Sequence, residues 1–324
     1  METHKNKNKL SETPAVSVII PIYNVEPYLR ECLDSVINQT LKNIEIICIN
    51  DASSDKSIDI LKEYAKKDKR IRIYDHIKNR KTGYCRNCGL AKARADYVIF
   101  LDSDDFIKPE TLENTYKKIK TAKADICQFL ANNYDNETKE VTPLAGKVFD
   151  IIREKKYQTY NYKCNLRLLF NHVETWKKLY RKQFLSEHGI KFPENTYFED
   201  TLVHIKSLAL AEKICFDDNY YIFYRKNRKG QVTEDSADTD KFLDIFNYIN
   251  GAEKFFKEYG MWEEIKKHYY AFALGRICGY YARCSDATKI KFAQKVKEWC
   301  ANKDMAELQV ANPEKFEQFA SIVR

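Results

Sequence analysis

At 324 residues, with 44% hydrophobic and 31% charged side chains, the chain can bury a sizeable core as one large domain or a main domain with an appendage. Its net charge of +8 suits phosphorylated substrates or an anionic surface; the lysines are scattered and carry no RNA- or DNA-binding fingerprint, so nucleic acid is not the expected partner. No apolar run approaches the ~20 residues of a membrane span.

Met1 to Leu10 is polar and lysine-rich with no apolar signal segment behind it, so residues 1–13 are expected to form a disordered basic tail on a cytoplasmic protein. Val16 to Tyr23 is an apolar, β-branched run broken by Pro21, which reads as a strand. A helix follows from about Glu26 with Leu29, Leu33, Val36 and Ile37 on one face. Ile44 to Asn50 is a second strand, and a helix after Asp55 turns Ile58, Leu61 and Ala65 inward. Ile71 to Tyr74 is a short third strand. A loop and a helix from about Arg86 to Arg94 lead to Val98–Leu101, another buried strand.

Strand and helix thus alternate, which predicts a mostly parallel α/β sheet covered on both faces. Tyr23, Asn24, Asp51, Asp55, Asp102 and Asp104 all fall just after strands, at the sheet edge where such folds bind ligands. Neither a Gly-x-Gly-x-x-Gly fingerprint nor a Walker A lysine is present, so phosphates need another partner. Asp102, Asp104 and Asp105 supply one reading: crowded carboxylates hold a hard divalent cation such as Mg²⁺ or Mn²⁺. The other reading is a solvated acidic turn capping the next helix.

From Pro109 a helix turns Leu112, Tyr116 and Ile119 inward, and Asp125 to Leu130 reads as a strand. Residues 133–147 are polar and are expected to form a loop over the site. Asn165 to His188 is rich in aromatic and basic residues, including Trp176 and Lys178. Glu199 and Asp200 open a helix carrying Leu202, Ile205 and Ala209; acids there satisfy the helix dipole or serve chemistry. A strand at Ile214–Tyr224 precedes a basic loop from Arg225 to Gly230. Beyond about Ser236, amphipathic helices follow, one with Phe242, Ile245, Phe246 and Ile249, another with Trp262, Ile265, Tyr269 and Phe272, and shorter ones near 288–301 and 313–323. They are expected to pack as an appendage rather than lie on a membrane. The ten cysteines lie mainly in apolar segments, as reduced buried thiols do. Cys85-x-x-Cys88 has zinc or redox spacing but lacks a second ligand pair, which favours packing.

The stretches Val16–Asn24, Leu33–Gln39, Ile47–Asp55, Arg86–Leu90, Phe100–Asp105, Lys178–Arg181 and Phe198–Asp200, in this order and spacing, resemble the family-2 inverting glycosyltransferases of GT-A fold. The resemblance covers roughly residues 14 to 230. It implies a GT-A domain over 14–235, divided into a nucleotide-binding half (14–115) and an acceptor-binding half (116–235); the helical extension over 236–324 lies outside the resemblance and rests on the amphipathic pattern alone. It also implies a nucleotide-sugar donor, most often a UDP-sugar, and Mn²⁺ or Mg²⁺. Pro21 and Tyr23 would then flank the base, Asp51 would accept its ring N–H, Asn24 would belong to the same nucleotide site, and Arg86 would neighbour the diphosphate. Asp102 would lie near ribose and metal and Asp104 would ligate the metal. Asp200 matches the catalytic base, with Glu199 beside it. Trp176, Lys178, Arg225 and Arg228 are candidate diphosphate or acceptor contacts, and Arg80, Lys81 and Cys85 depart from the small residues usual at their positions.

The expected reaction is sugar transfer with inversion to a hydroxyl of a bacterial cell-surface glycan or its lipid-linked precursor, such as lipooligosaccharide or capsule. Peripheral attachment to the inner membrane face and self-association are left open. The competing readings are a non-catalytic nucleotide-sugar scaffold, which predicts loss of the acids, and a nucleotidyltransferase, which predicts a glycine- and lysine-rich first loop.

Overall fold

A computed structural model describes residues 13–144, 147–171, 173–228 and 239–323. All of the expected tail but Thr13, the end of the basic loop at 229–231 and the boundary near residue 235 lie outside them.

Strand β1 (Val16–Ile22) is buried along its whole length. It lies between two neighbours, so both faces are covered and no alternation of polar residues survives. Helix α1 (Glu26–Ile37) returns with Leu29, Cys32, Leu33 and Val36 buried, and Pro27 sits in its first turn, where the missing N–H costs nothing. Strand β2 (Ile44–Asn50) is again buried throughout. In α2 (Ser57–Lys67) the inward face is Ser57, Ile60, Leu61 and Tyr64, one notch from the expected Ile58, Leu61 and Ala65. The shift has a polar cause: Ser57 Oγ accepts the Val25 N–H at 3.2 Å and is buried with it.

After β3 (Ile71–Asp75), α3 (Lys81–Lys92) begins five residues before the expected Arg86. Its glycines lower local helix propensity, but close packing requires them. A Cβ on Gly83 would stand 2.1 Å from the Pro193 carbonyl oxygen, and one on Gly89 would stand 2.3 Å from Ile19 Cγ2. Next come β4 (Tyr97–Phe100), the two-residue β5 (Phe106–Ile107) and α4 (Thr111–Ala122). Pro109 precedes α4 rather than opening it, and its carbonyl accepts the Thr40 N–H.

Strand β6 (Ile126–Asp135) turns back into β7 (Val141–Pro143), so most of the expected loop at 133–147 is an antiparallel hairpin. A short α5 (Asp150–Lys155) follows. Strand β8 (Lys178–Arg181) lies between β4 and β6, antiparallel to both. Helices α6 (Lys182–Glu187) and α7 (Glu199–Leu210) lead to β9 (Ile214–Lys226). The sheet order among the described residues is β3-β2-β1-β4-β8-β6-β9-β5, with β7 beside β6. Strands β3, β2, β1 and β4 are mutually parallel, joined by crossover helices.

The C-terminal region is helical: α8 (Ile245–Glu258), α9 (Trp262–Tyr281), α10 (Asp286–Cys300), α11 (Met305–Ala311) and α12 (Pro313–Val323). Its core is continuous with one sheet face, running from Ile19 and Phe100 through Val203 and Ile205 of α7 to Phe256, Phe292 and Phe319. No described helix is long and apolar enough to cross a membrane. All ten cysteines are free, with Cys88 and Cys164 half-buried and the others buried.

Candidate active site

Parallel register brings the strand ends together: Ile22 lies opposite Asn50, and Asn50 opposite Asp75. Tyr23, Asp51 and His76 therefore emerge side by side. Pro21 is buried within β1, whereas Tyr23 is half exposed. Asn24 takes a left-handed conformation (φ 51°), and its Oδ1 accepts the Ser54 N–H at 2.8 Å, tying the first loop to the second. Asp51 is buried; it accepts the Arg80 N–H at 2.9 and 3.0 Å and faces His76 Nδ1 at 3.1 Å. Asp55 accepts the Glu26 and Ser57 N–H groups at 2.9 and 3.0 Å. That carboxylate caps two helices.

Arg86 on α3 is 2% exposed and joins the two groups of acids. Its Nη2 donates to Asp102 Oδ1 at 2.6 Å, and its Nη1 donates to Glu199 Oε1 at 2.9 Å and to Asp200 Oδ1. Phe192 lies under the guanidinium at 5.2 Å. Thr175, fully buried, donates its hydroxyl to Asp200 Oδ1 at 2.7 Å. Burial pushes the Glu199 carboxyl up to about 7, with Arg86 opposing and Asp200 adding to the shift. Asp200 is raised by burial too, again against Arg86. Both carboxyls are thus better proton acceptors than free carboxylates.

Asp104 and Asp105 sit just past β4 and are nearly buried. Arg228 Nε pairs with Asp104 Oδ2. Arg225 donates its backbone N–H to Asp105 Oδ1 at 2.8 Å and its Nε to the Asp104 carbonyl at 2.7 Å. Its Nη1 reaches Asn136 Oδ1 at 2.8 Å and its Nη2 reaches Glu31 at 2.5 Å. Tyr28, Phe106 and Tyr134 surround this guanidinium at 5.0 to 5.5 Å. Burial raises the Asp104 and Asp105 carboxyls, and repulsion from Asp104 and Asp102 adds to Asp105. Asp105 Oδ2 is buried without a hydrogen-bond partner. Crowded carboxylate oxygens, one of them without a partner, are the donor set a hard divalent cation takes, so these residues fit Mg²⁺ or Mn²⁺ once Arg228 gives way at Asp104.

Some expected contacts are committed to the protein itself. Trp176 is 3% exposed and stacks on Tyr224 at 5.3 Å, so its face is core rather than a sugar platform. Lys178 is fully buried with Nζ donating to the Glu174 carbonyl, and burial, then Lys177, pushes it down to about 7. Arg225 and Arg228 hold the acids at 104 and 105 instead of standing open to a diphosphate. Thr175 and His76 were not among the expected site residues. His76 directly follows β3, so the strand-end rule could have found it; Thr175 has no local signal.

The family profile for glycosyl transferase family 2 matches residues 17–189, more than half of the chain. The chain belongs to glycosyl transferase family 2. Among relatives in this family, the putative glycosyltransferase EpsH of Bacillus subtilis is 36% identical over 220 residues, 66% of this chain and 61% of its own length. The chain therefore spans about three fifths of that relative. In the crystal structure of S. aureus TarS 1-349 in complex with UDP-GlcNAc, 20% identical, the match covers 95% of this chain and 90% of that one at a TM-score of 0.63. The mannosyltransferase PcManGT from Pyrobaculum calidifontis, in complex with GDP-Man and Mn²⁺, is 14% identical over 95% of this chain and 86% of its own, with a TM-score of 0.54. These two likenesses are of fold, the GT-A type with an added helical region.

Proposed function

We propose that this family-2 chain transfers a sugar from a nucleotide diphosphate, UDP foremost, to a hydroxyl of a cell-surface glycan or its lipid-linked precursor, with inversion and with a divalent metal. The observation that carries this reading is the sharing of Arg86 by Asp102 and Asp200, which sets the two carboxylates on one guanidinium. Separate acids are what the chemistry needs: one group beside the leaving diphosphate and one beside the attacking alcohol.

Asp200 acts as general base, its Oδ taking the acceptor hydroxyl proton as that oxygen attacks the anomeric carbon opposite the leaving group. Arg86 and Thr175 orient this carboxylate, and Glu199 shares the same cation. Asp102 and Asp104 are the residues that would hold the metal. When bound, a divalent ion neutralises charge on the departing diphosphate. Pro21, Tyr23 and Asn24 line the base, and Asp51 accepts the uracil ring N–H. The complexes of the two fold relatives, with UDP-GlcNAc and with GDP-Man and Mn²⁺, support a nucleotide-sugar donor here.

Residues 14–115 form the donor half, 116–235 the acceptor half and 236–324 the helical extension of this proposal. The protein works in the cytoplasm, at the inner membrane face, where its basic charge suits a lipid-linked acceptor.

A panel of nucleotide-sugars incubated with the protein and Mn²⁺ tests the reading through nucleoside diphosphate release. One donor should be hydrolysed slowly without acceptor and faster with it. No release from any donor would return the chain to a binding scaffold, and pyrophosphate release from a nucleoside triphosphate would mark nucleotidyl transfer.

A further inference from the structure

The ends of β2 and β3 carry a second cluster, of chemically different ligands. Asp51 follows β2, His76 follows β3, and Cys85 lies on α3 behind them. One carboxylate oxygen, one imidazole nitrogen and one thiol sulfur from these residues lie within 4.8 Å of one another. His76 Nδ1 faces both partners, Asp51 Oδ1 at 3.1 Å and Cys85 Sγ at 3.9 Å. We propose that Asp51, His76 and Cys85 form a site for a thiophilic divalent cation, zinc foremost, separate from the acids past β4.

The separations argue for it. Tetrahedral zinc with its usual bond lengths of about 2.0 to 2.3 Å sets ligand atoms roughly 3.3 to 3.6 Å apart. The two nitrogen-centred edges lie within a few tenths of an ångström of that range, and the third edge, 4.8 Å at most, closes with about 1.2 Å of side-chain adjustment or less. The ligand types discriminate as well: a thiolate with an imidazole selects zinc or cobalt, whereas Mg²⁺ keeps to oxygen.

The surroundings fix the ligands. The His76 N–H donates to the Asn50 carbonyl at 2.9 Å, and the Tyr84 ring meets the imidazole edge-on at 5.2 Å. The Arg80 N–H braces Asp51, the kind of outer contact that orients metal ligands. Asp51 Oδ2 accepts that N–H and retains lone-pair capacity. Asp51 and Cys85 are buried, while the His76 side chain is 18% exposed and leaves an entry from solvent. Coordination forms bonds from the ion to oxygen, nitrogen and sulfur. It breaks the His76–Asp51 hydrogen bond: the His76 Nδ1 proton is lost as Nε2 takes one from solvent, giving the Nε2–H tautomer, and the Cys85 thiol proton leaves to solvent as the thiolate binds.

Cobalt(II) is the probe, because a thiolate ligand gives a near-ultraviolet charge-transfer band. The full chain, reduced and in excess Mg²⁺ to saturate the oxygen-donor acids, is titrated with Co²⁺. A band saturating at one equivalent is expected, and Zn²⁺ should remove it. Cys85→Ala should abolish the band, Cys88→Ala should keep it, and His76→Gln should weaken binding at least about tenfold, as even outer-contact losses do. Absence of the band, its persistence in Cys85→Ala or its loss in Cys88→Ala overturns the site; retained circular dichroism in each variant separates loss of ligand from loss of fold. Occupancy would also deny Asp51 to a nucleotide base, a consequence that rests on the function proposed above. UDP should therefore raise the cobalt concentration needed for half-saturation. A band that ignores UDP leaves the metal site standing and removes the base-contact role of Asp51.

Discussion

Arg86 donates to Asp200 across 114 positions of chain, and the same guanidinium holds Asp102 at 2.6 Å. The buried cation sits between two acids from distant parts of the chain and offsets the repulsion between them. Its charge is favoured most by Asp200 and then by Asp102 and Glu199, against the cost of burial.

Replacing Asp200 by Asn removes the proposed base while keeping a partner for Thr175. Transfer should fall by about 10² to 10⁴-fold, with UDP affinity nearly unchanged in calorimetry. Glu199→Gln should be milder, because that carboxylate shares Arg86 without bonding Thr175. Full turnover by Asp200→Asn would remove the base assignment.

Metal dependence is read from chelation. EDTA should abolish transfer, and added Mn²⁺ or Mg²⁺ should restore it. Asp104→Asn should raise the metal concentration required and weaken metal-dependent UDP binding, while leaving metal-free UDP binding near its starting level. Undiminished activity in EDTA would contradict the role given to the acids past β4.

Gly83→Ala reverses the usual sign of a helix substitution. Alanine normally stabilises a helix interior by about 1 kcal/mol over glycine. Here its Cβ would meet the Pro193 carbonyl oxygen at 2.1 Å, so overpacking should dominate at about 1 to 3 kcal/mol. Pro193 lies on the segment leading to Glu199, so transfer should drop together with the urea midpoint. A more stable variant would show that this contact relaxes freely.

Glu45 gives a pH test independent of the cleft. It is buried, accepts from Ser17 Oγ at 2.7 Å and the Arg94 N–H at 2.6 Å, and pairs with Arg72 at 2.8 Å. These donors overcome burial and hold its carboxyl down at about 2, against an ordinary value of 4.5. A depressed acid contributes stability that is complete above its unfolded pKa and is lost as pH falls toward its folded one. Wild type should therefore lose roughly 3 kcal/mol through this group between about pH 4.5 and 2. Urea unfolding of Glu45→Gln should show a correspondingly shallower acid slope; identical slopes would exclude the group.

Local pattern accounts for much of what could be read in advance. The runs at 16–22 and 44–50 are β-branched and buried on both faces, so composition alone marked them. β8 escaped because four residues of mixed polarity become a strand by bridging β4 and β6. The start of α3 escaped because Gly83 and Gly89 answer to Pro193 and Ile19, not to helix propensity. Trp176 was ambiguous until Tyr224 appeared against it.

The acids at 102, 104 and 200 were legible as candidates in the chain itself, because each follows a strand or opens a helix, where backbone geometry exposes a short polar side chain. Which cation they meet was not. Arg86 between the two groups, Arg225 and Arg228 on the acids past β4, and Cys85 against His76 and Asp51 are long-range choices made by parallel register and helix packing. Neighbour-by-neighbour propensity does not encode such partners, because their energy exists only once the intervening chain has closed around them.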